Sequence, residues 1–170
     1  MASTAKSSFS SIFKSKKLSV LLLMGFASGL PFPLTHSTIQ AWMTASKLDL
    51  EQVGKISTLI GYPYALKVLW APILDRALPP IFGLRRGWLF FFQIFLVLSM
   101  IAIGFVSPSG NLEYFVVLAI FMTFAGASQD IVIDAYRTEV LEGHERGLAT
   151  PCAIMGYRLA LIVGASLALV

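Results

Sequence analysis

Long apolar stretches, separated by short polar segments, constrain the fold of this chain more than any other feature. Each stretch is close to the roughly 20 residues that a helix needs to cross about 30 Å of hydrocarbon. Only 13% of the 170 residues are charged and 56% are hydrophobic, so much of the surface must face lipid. The pattern predicts five transmembrane helices, numbered here as spans one to five: residues 18–45, 53–74, 87–106, 112–135 and 151–170.

Residues 1–17 precede the first span and are rich in Ser and Lys. This segment resembles the start of a secretory signal, but the apolar run that follows is too long for one, so we expect an uncleaved first span. That span contains Gly29, Pro31 and Pro33, which predict a kinked or locally broken helix. Residues 1–17 are therefore interpreted as a tail and residues 18–170 as helices one to five.

The distribution of Lys and Arg predicts the orientation of the spans. Nine of these residues lie before span one, between spans two and three, or between spans four and five. Only Lys47 and Lys55 lie toward the other side, in or beside the first short loop. The positive-inside rule therefore predicts a cytoplasmic N-terminus. Because the basic residues form no stripe with interleaved aromatic residues, we expect no nucleic-acid partner, despite the net charge of +4.

Three charges are predicted to lie inside the membrane. Lys67 lies eight residues before Asp75, Asp130 lies seven before Arg137, and Arg158 lies seven after Pro151. These counts place all three roughly 10 to 12 Å inside the cytoplasmic boundary. A charge at that depth costs a few kcal/mol or more if it faces lipid. We therefore expect these side chains to point inward, where they pair with each other or line water.

An acidic pair in span four is the strongest candidate for chemistry. Asp130, Asp134 and Arg137 are spaced i, i+4, i+7 and share one helical face. Partial desolvation of two carboxylates one turn apart favours retention of a proton on one of them, as a proton-coupling site requires. With Lys67 or Arg158 close by, ionisation would depend on conformation or substrate. The alternative is a static ion-pair cluster that holds spans two, four and five together.

His36 and Gln40 are four residues apart in the outer half of span one, and the spacing predicts a common face. His36 is a candidate proton relay or substrate contact because the imidazole titrates near neutral pH. A hydrogen-bonded spacer near the outer interface is the alternative and is favoured for this position.

The loop between spans two and three is flanked by Asp75-Arg76 and Arg85-Arg86. One interpretation is a conformational latch, in which Asp75 pairs with a cation or a helix N-terminus during part of a transport cycle. The alternative is plain positive-inside anchoring, which accounts for the arginines but not for Asp75.

Sequence motifs of enzymes and nucleotide-binding proteins are missing from this chain. It contains no G-x-S-x-G, H-E-x-x-H, CxxC or Walker A motif, and its single cysteine, Cys152, allows no internal disulfide. We expect a protein that is not an enzyme and that uses no metal or cofactor. Any energy coupling is expected to draw on the proton-motive force.

Several ordered motifs resemble those of AmpG-type muropeptide permeases of the major facilitator superfamily, and the resemblance covers nearly everything from Leu18 onward. The motifs are Gly25-Phe-Ala-Ser-Gly29-Leu-Pro31, Gln40-Ala-Trp42-Met43, Pro63-Tyr64-x-x-Lys67-x-Leu69-Trp70-Ala71-Pro72-x-x-Asp75-Arg76, Arg85-Arg86-Gly87-Trp88, Ser128-Gln129-Asp130-Ile131-x-x-Asp134-Ala-Tyr136-Arg137-Thr-Glu139 and Gly156-Tyr157-Arg158.

The resemblance implies a multi-pass carrier of the bacterial inner membrane that imports anhydro-muropeptides for cell-wall recycling by proton symport. It also implies two six-helix halves, so this chain would supply most of the first half and need the remaining helices as partners. Asp130 and Asp134 become candidates for proton coupling. The candidates for substrate binding or ion pairing are Lys67, Arg158, Arg137, Gln129, His36 and Gln40.

Two features depart from the superfamily pattern. Ala71 replaces the Gly of the general loop motif, and Arg85 lies ten residues beyond Asp75 rather than a few. The chain also stops inside an apolar run, which suggests a fragment of a longer carrier. Two alternatives remain open: a related carrier of another bulky anion, such as acetyl-CoA, and a truncated membrane fragment that does not transport.

Overall fold

The computed structural model describes residues 16–77, 83–140 and 146–167, and every regular element in these ranges is helical. The predicted all-α membrane fold is therefore confirmed. Three helices are long and apolar enough to cross a membrane: Lys17–Ala45, Leu84–Gly104 and Leu112–Glu139. They correspond to predicted spans one, three and four. Span five forms one helix, Arg146–Leu167, with a shorter apolar part at Thr150–Ser166.

Span one is interrupted at its prolines, as the sequence predicts. An α-helix over Lys16–Gly29 is followed by the short turn Pro31–Pro33, a π-helical turn over Leu34–Thr38 and a final α-helix over Ile39–Ala45. Proline cannot donate a backbone hydrogen bond, and its ring displaces the carbonyl four residues earlier. The helix accommodates the two prolines by changing its hydrogen-bonding pattern just beyond them.

Span two is broken, although the sequence was interpreted as one continuous helix over residues 53–74. It consists of an α-helix over Leu50–Leu66, a 3₁₀ turn over Lys67–Leu69 and a short α-helix over Ala71–Arg76. Pro63 lies inside the first segment, and Pro72 lies at the start of the last one. The two prolines remove backbone donors on either side of Lys67, which accounts for the tighter turn at that residue.

Span four, Leu112–Val140, is the central element of the fold. It packs against spans two and three. Of the residues in its most apolar stretch, 56% are buried, compared with 28% for span three. Two apolar clusters flank it. One is built around Met43, Ile60 and Phe115, and the other around Phe92, Leu96 and Val132. Charged side chains on span four are thereby brought into contact with several other spans.

Span one and span five approach each other closely through glycines. A Cβ on Gly25 would overlap the backbone carbonyl of Ala153, and a Cβ on Gly156 would overlap that of Leu22. Only glycine permits such an approach, which is typical of helix pairs in membranes. The two spans therefore form one tightly packed unit, and side chains on span one near Gly25 lie at its contact with span five.

Span three presents a broad apolar face to its surroundings. Phe90, Phe91, Ile94, Leu98 and Ile101 are all exposed on this helix. Water does not favour such a continuous apolar surface, whereas lipid or further helices do. Exposed apolar residues on a transmembrane helix are the arrangement expected for a membrane protein.

Candidate functional site

A cavity of about 300 Å³ lies where spans one, two, four and five meet. Its lining is mixed polar and apolar, and all four spans contribute to it: Gly25, Ser28, Lys67, Asp130, Ile133, Asp134, Arg137, Ala153, Ile154 and Tyr157. Four of these side chains carry a charge. The cavity therefore gathers, in one place, most of the intramembrane charge that the sequence predicts.

Asp130 occupies the most shielded position among these charges. Its side chain is 13% exposed, and its two oxygens have different partners. Oδ1 accepts a hydrogen bond from the hydroxyl of Ser28 on span one. Oδ2 lies 3.9 Å from Nζ of Lys67 on span two, whose side chain is 34% exposed. The predicted pairing of Asp130 with Lys67 is present in the structure.

Asp134 and Arg137 lie on the same face of span four as Asp130, as their spacing predicts. Oδ1 of Asp134 is 3.1 Å from a guanidinium nitrogen of Arg137, and both side chains line the cavity. The carboxylate of Asp134 is 59% exposed, so water reaches it far more readily than it reaches Asp130. The acidic pair therefore divides into a shielded member and a solvated member.

Gln129 is buried at the contact between spans one and four. Its amide nitrogen donates a hydrogen bond to the carbonyl oxygen of Ala27 at 3.2 Å, and its side-chain oxygen has no partner among the described residues. Ala27 and Ser28 thus bind Gln129 and Asp130, respectively. Two consecutive residues of span one contact two consecutive residues of span four at the edge of the cavity.

Arg158 does not join the cluster that was predicted for it. The residue is exposed, and the neighbouring Tyr157 lines the cavity instead. Successive residues of an α-helix point about 100° apart, so matched depth in the membrane does not ensure a matched direction. The predicted layer of Lys67, Asp130 and Arg158 reduces in the structure to Lys67 and Asp130.

His36 and Gln40 lie in different environments. The ring of His36 stacks on Phe32 at 4.4 Å between centroids and lies edge-on to Tyr64 at 6.2 Å, whereas Gln40 is exposed. The π-helical turn at Leu34–Thr38 shifts the register that the four-residue spacing assumes. Nδ1 of His36 is 3.2 Å from the hydroxyl of Thr35, so the imidazole has a local hydrogen-bond partner.

A second ion cluster joins spans two, three and four at one end of the fold. Arg85 donates to Oδ1 of Asp75 at 2.6 Å and to Oε1 of Glu139 at 2.6 and 2.8 Å. The predicted pairing of Asp75 with a cation is therefore present, with Arg85 as the cation. Arg76 and Arg86 are exposed, and the prolines of the intervening loop, Pro79 and Pro80, lie outside the described residues.

Four residues of these two clusters were not assigned a role from the sequence: Ser28, Tyr64, Tyr157 and Glu139. The hydroxyl of Tyr64 packs against span four at Gly126, about one turn before Asp130. Ser28 and Tyr157 carry no charge, so the depth estimate that singled out Lys67 did not apply to them. Glu139 could have been found from the sequence, because it is an acidic residue close to Arg137 in a region where basic residues concentrate.

The fold and the cavity together define a multi-span membrane protein that encloses an ion pair between its helices. Residues 17–169 match the family model described as acetyl-coenzyme A transporter 1, and the chain belongs to this family. The matched family is a transporter family of the major facilitator type, so the resemblance found in the sequence is confirmed.

Curated relatives are mostly named as permeases or transporters. The chain is 47% identical, over 158 residues, to the anhydromuropeptide permease of Escherichia coli K12, covering 93% of this chain and 32% of that protein. It is 37% identical over 158 residues to the putative transporter AmpG 3 of Rickettsia typhi, covering 90% and 37%. The chain therefore spans about a third of the length of these relatives.

Proposed function

We propose that this chain forms most of the N-terminal six-helix half of a proton-coupled symporter that imports anhydro-muropeptides across the bacterial inner membrane. The name and 47% identity of the Escherichia coli relative support the substrate. In this proposal residues 1–17 form a cytoplasmic tail, and the protein is a carrier rather than an enzyme. The helices that complete the second half of the relatives would close the transport path, because substrate binds between repeats in such carriers.

The observation that carries the proposal is the placement of Asp130 between Lys67 and Ser28 at a polar cavity inside the helices. A shielded carboxylate resists ionisation, and a nearby ammonium opposes that effect. Its protonation therefore depends on how closely Lys67 approaches. When Asp130 takes up a proton from cavity water, Lys67 loses its counter-ion and becomes available to an anionic substrate. Release of the substrate restores the pair and expels the proton.

The ion cluster at Asp75, Arg85 and Glu139 supports a conformational role for the loop between spans two and three. Arg85 joins spans two, three and four in the state described here. We assign it to the cytoplasmic end because the basic residues concentrate there. In this assignment the cluster stabilises one state of the cycle, and its opening accompanies the change to the other state.

A second candidate substrate follows from the family description. The matched family is described by acetyl-coenzyme A transport, and acetyl-CoA is also a bulky anion that Lys67 and Arg137 would attract. A shared fold does not fix the substrate. Competition between unlabelled acetyl-CoA and labelled anhydro-muropeptide in one vesicle preparation distinguishes the two, because only the true substrate reduces uptake at low concentration.

The proton-coupling proposal is tested by uptake into membrane vesicles that contain the full-length protein. We expect a proton uncoupler to abolish accumulation of labelled anhydro-muropeptide. Asp130→Asn should reduce uptake by at least about tenfold and remove its pH dependence, since the amide cannot accept the proton. Glu51→Gln is the matched control because Glu51 is exposed and does not line the cavity. Accumulation that survives both the uncoupler and Asp130→Asn would overturn the proposal.

A further inference from the structure

The two oxygens of Asp130 are held by separate parts of the molecule. Oδ1 is bound by Ser28, which belongs to the tightly packed unit of spans one and five, whereas Oδ2 faces Lys67 on span two. The Ser28 hydroxyl makes its hydrogen bond directly to the carboxylate. The contact between Oδ2 and Lys67 is longer, at 3.9 Å. The two oxygens are therefore not equivalent.

We propose that Ser28 is a positioning residue for the proton-accepting carboxylate, which fixes Oδ1 of Asp130 so that Oδ2 is the oxygen that exchanges the proton. The inference rests on the proton-coupled function proposed above and names a residue that acts through Asp130. Gly25, three residues before Ser28, packs against the backbone of span five. This packing fixes the part of span one that carries Ser28. The Ser28 hydroxyl therefore donates to the Asp130 carboxylate from a fixed position.

The chemistry of a hydroxyl suits this role in both protonation states. A serine hydroxyl donates strongly to an ionised carboxylate, and it also donates, more weakly, to the carbonyl oxygen of a neutral carboxylic acid. On uptake, a proton from cavity water forms an O–H bond with Oδ2, and the ammonium of Lys67 keeps its own protons. On release, the proton returns from Oδ2 to water. Ser28 donates to Oδ1 throughout, so the geometry of the site survives each transfer.

Several other ionisable groups face Asp130 and must be considered in any pH measurement. Span two contributes Lys67 and Tyr64, span four contributes Asp134 with Arg137, and span five contributes Tyr157. Span one lines the cavity with Gly25 and Ser28, neither of which is charged. A change at Ser28 therefore alters the hydrogen bonding of Asp130 without changing the charge of the site.

The test is the pH dependence of uptake by the full-length carrier, with pH varied equally on both sides of the vesicle under a fixed membrane potential. Ser28→Ala removes a donor that favours the ionised carboxylate, so Asp130 should hold its proton at higher pH. We expect the pH at half-maximal uptake to move upward by about one unit. Ser28→Thr keeps the hydroxyl that donates to Asp130, so its midpoint should match the unmodified protein.

Ser99→Ala is the matched control, since Ser99 is another serine within a span but donates to the carbonyl of Phe95 in its own helix. Its pH midpoint should not move. If Ser28→Ala does not accumulate in the membrane, Ser28→Cys replaces it, because a thiol is a weaker donor and should give a smaller upward shift. A midpoint for Ser28→Ala or Ser28→Cys equal to that of Ser99→Ala overturns the role of Ser28. Loss of coupling in Asp130→Asn alongside that result would leave the proposed function standing, whereas coupling that survives Asp130→Asn removes both.

Discussion

The two ion clusters of this chain contain similar charges but differ in how far water reaches them. At the cavity, the carboxylate of Asp130 is 13% exposed and lies 3.9 Å from the ammonium of Lys67. At the end of the fold, the carboxylates of Asp75 and Glu139 are 51% and 52% exposed, and Arg85, itself 13% exposed, contacts each at 2.6 Å. The closer contacts belong to the cluster whose carboxylates are more open to solvent.

This difference shows that distance alone does not rank ion pairs. A pair in which both charges are exposed contributes about 0 to 1 kcal/mol, because water already solvates them well. The exposed carboxylates bring the cluster of Arg85 toward that limit. A shielded pair has lost that solvation, so removal of one partner leaves the other uncompensated at a cost of about 3 to 5 kcal/mol. The cavity pair should therefore be sensitive to any change of charge, and the end cluster should depend mainly on the geometry of its arginine.

The largest effect is expected from reversing one charge in the cavity. Asp130→Lys places two ammonium groups together in a shielded site, so the folded protein should lose about 3 kcal/mol or more. We expect a large fall in the amount of folded protein in the membrane and in its thermal midpoint in detergent. Lys67→Asp alone should also destabilise the fold, because it places a second carboxylate beside Asp130.

The double variant with Asp130→Lys and Lys67→Asp restores opposite charges across the same gap. Its thermal midpoint should exceed that of either single variant, although the exchanged side chains differ in length and full recovery is not expected. A double variant that is no more stable than the single variants would show that the two residues do not act as a pair.

The next largest effect is expected at Arg85. Arg85→Lys keeps the charge but loses the fork of donors that contacts Asp75 and Glu139 together, and it should cost about 1 kcal/mol. The measurement is thermal unfolding at about 0.1 M and about 1 M salt, since screening at high salt weakens exposed pairs. The difference from the unmodified protein should shrink at high salt, whereas the destabilisation caused by Asp130→Lys should persist.

Arg86→Gln is the control for Arg85, because Arg86 is adjacent and exposed but lies outside the cluster of Asp75, Arg85 and Glu139. Its thermal midpoint should match the unmodified protein at both salt concentrations. Equal destabilisation by Arg86→Gln and Arg85→Lys would mean that loss of an arginine at this end is costly whether or not it contacts Asp75 and Glu139, so the fork of Arg85 would not be the cause.

The sequence predicted the features that depend on composition and on regular spacing. The helical class, the interruption at Pro31 and Pro33, and the shared face of Asp130, Asp134 and Arg137 all follow from local rules. The direction of Arg158 could not be predicted, because depth along a helix says nothing about rotation about its axis. The broken helix around Lys67 shows that two prolines on either side of a charged residue should count against a continuous helix.

Ser28 and Glu139 show a different limit. Their roles depend on which spans are neighbours, and a single sequence contains no direct record of that. Ser28 contacts Asp130 across 102 residues, and Arg85 contacts Glu139 across 54. The packing of span one on span five, enforced by Gly25 and Gly156, is what brings Ser28 to the cavity.

The smallest effect is expected at the exposed ion pair of Lys55 and Glu51. Nζ of Lys55 is 2.6 Å from Oε1 of Glu51, the same separation as between Arg85 and Asp75, but these two side chains are 74% and 71% exposed. Lys55→Gln should change the stability by about 0.3 to 0.5 kcal/mol at most, the range for an exposed i, i+4 pair. Thermal unfolding at low salt provides the measurement, with Lys47→Gln as a control for the loss of one exposed positive charge. If Lys55→Gln destabilised the fold as much as Arg85→Lys, the contact distance would outweigh exposure, and the ranking of the two clusters by burial would fail.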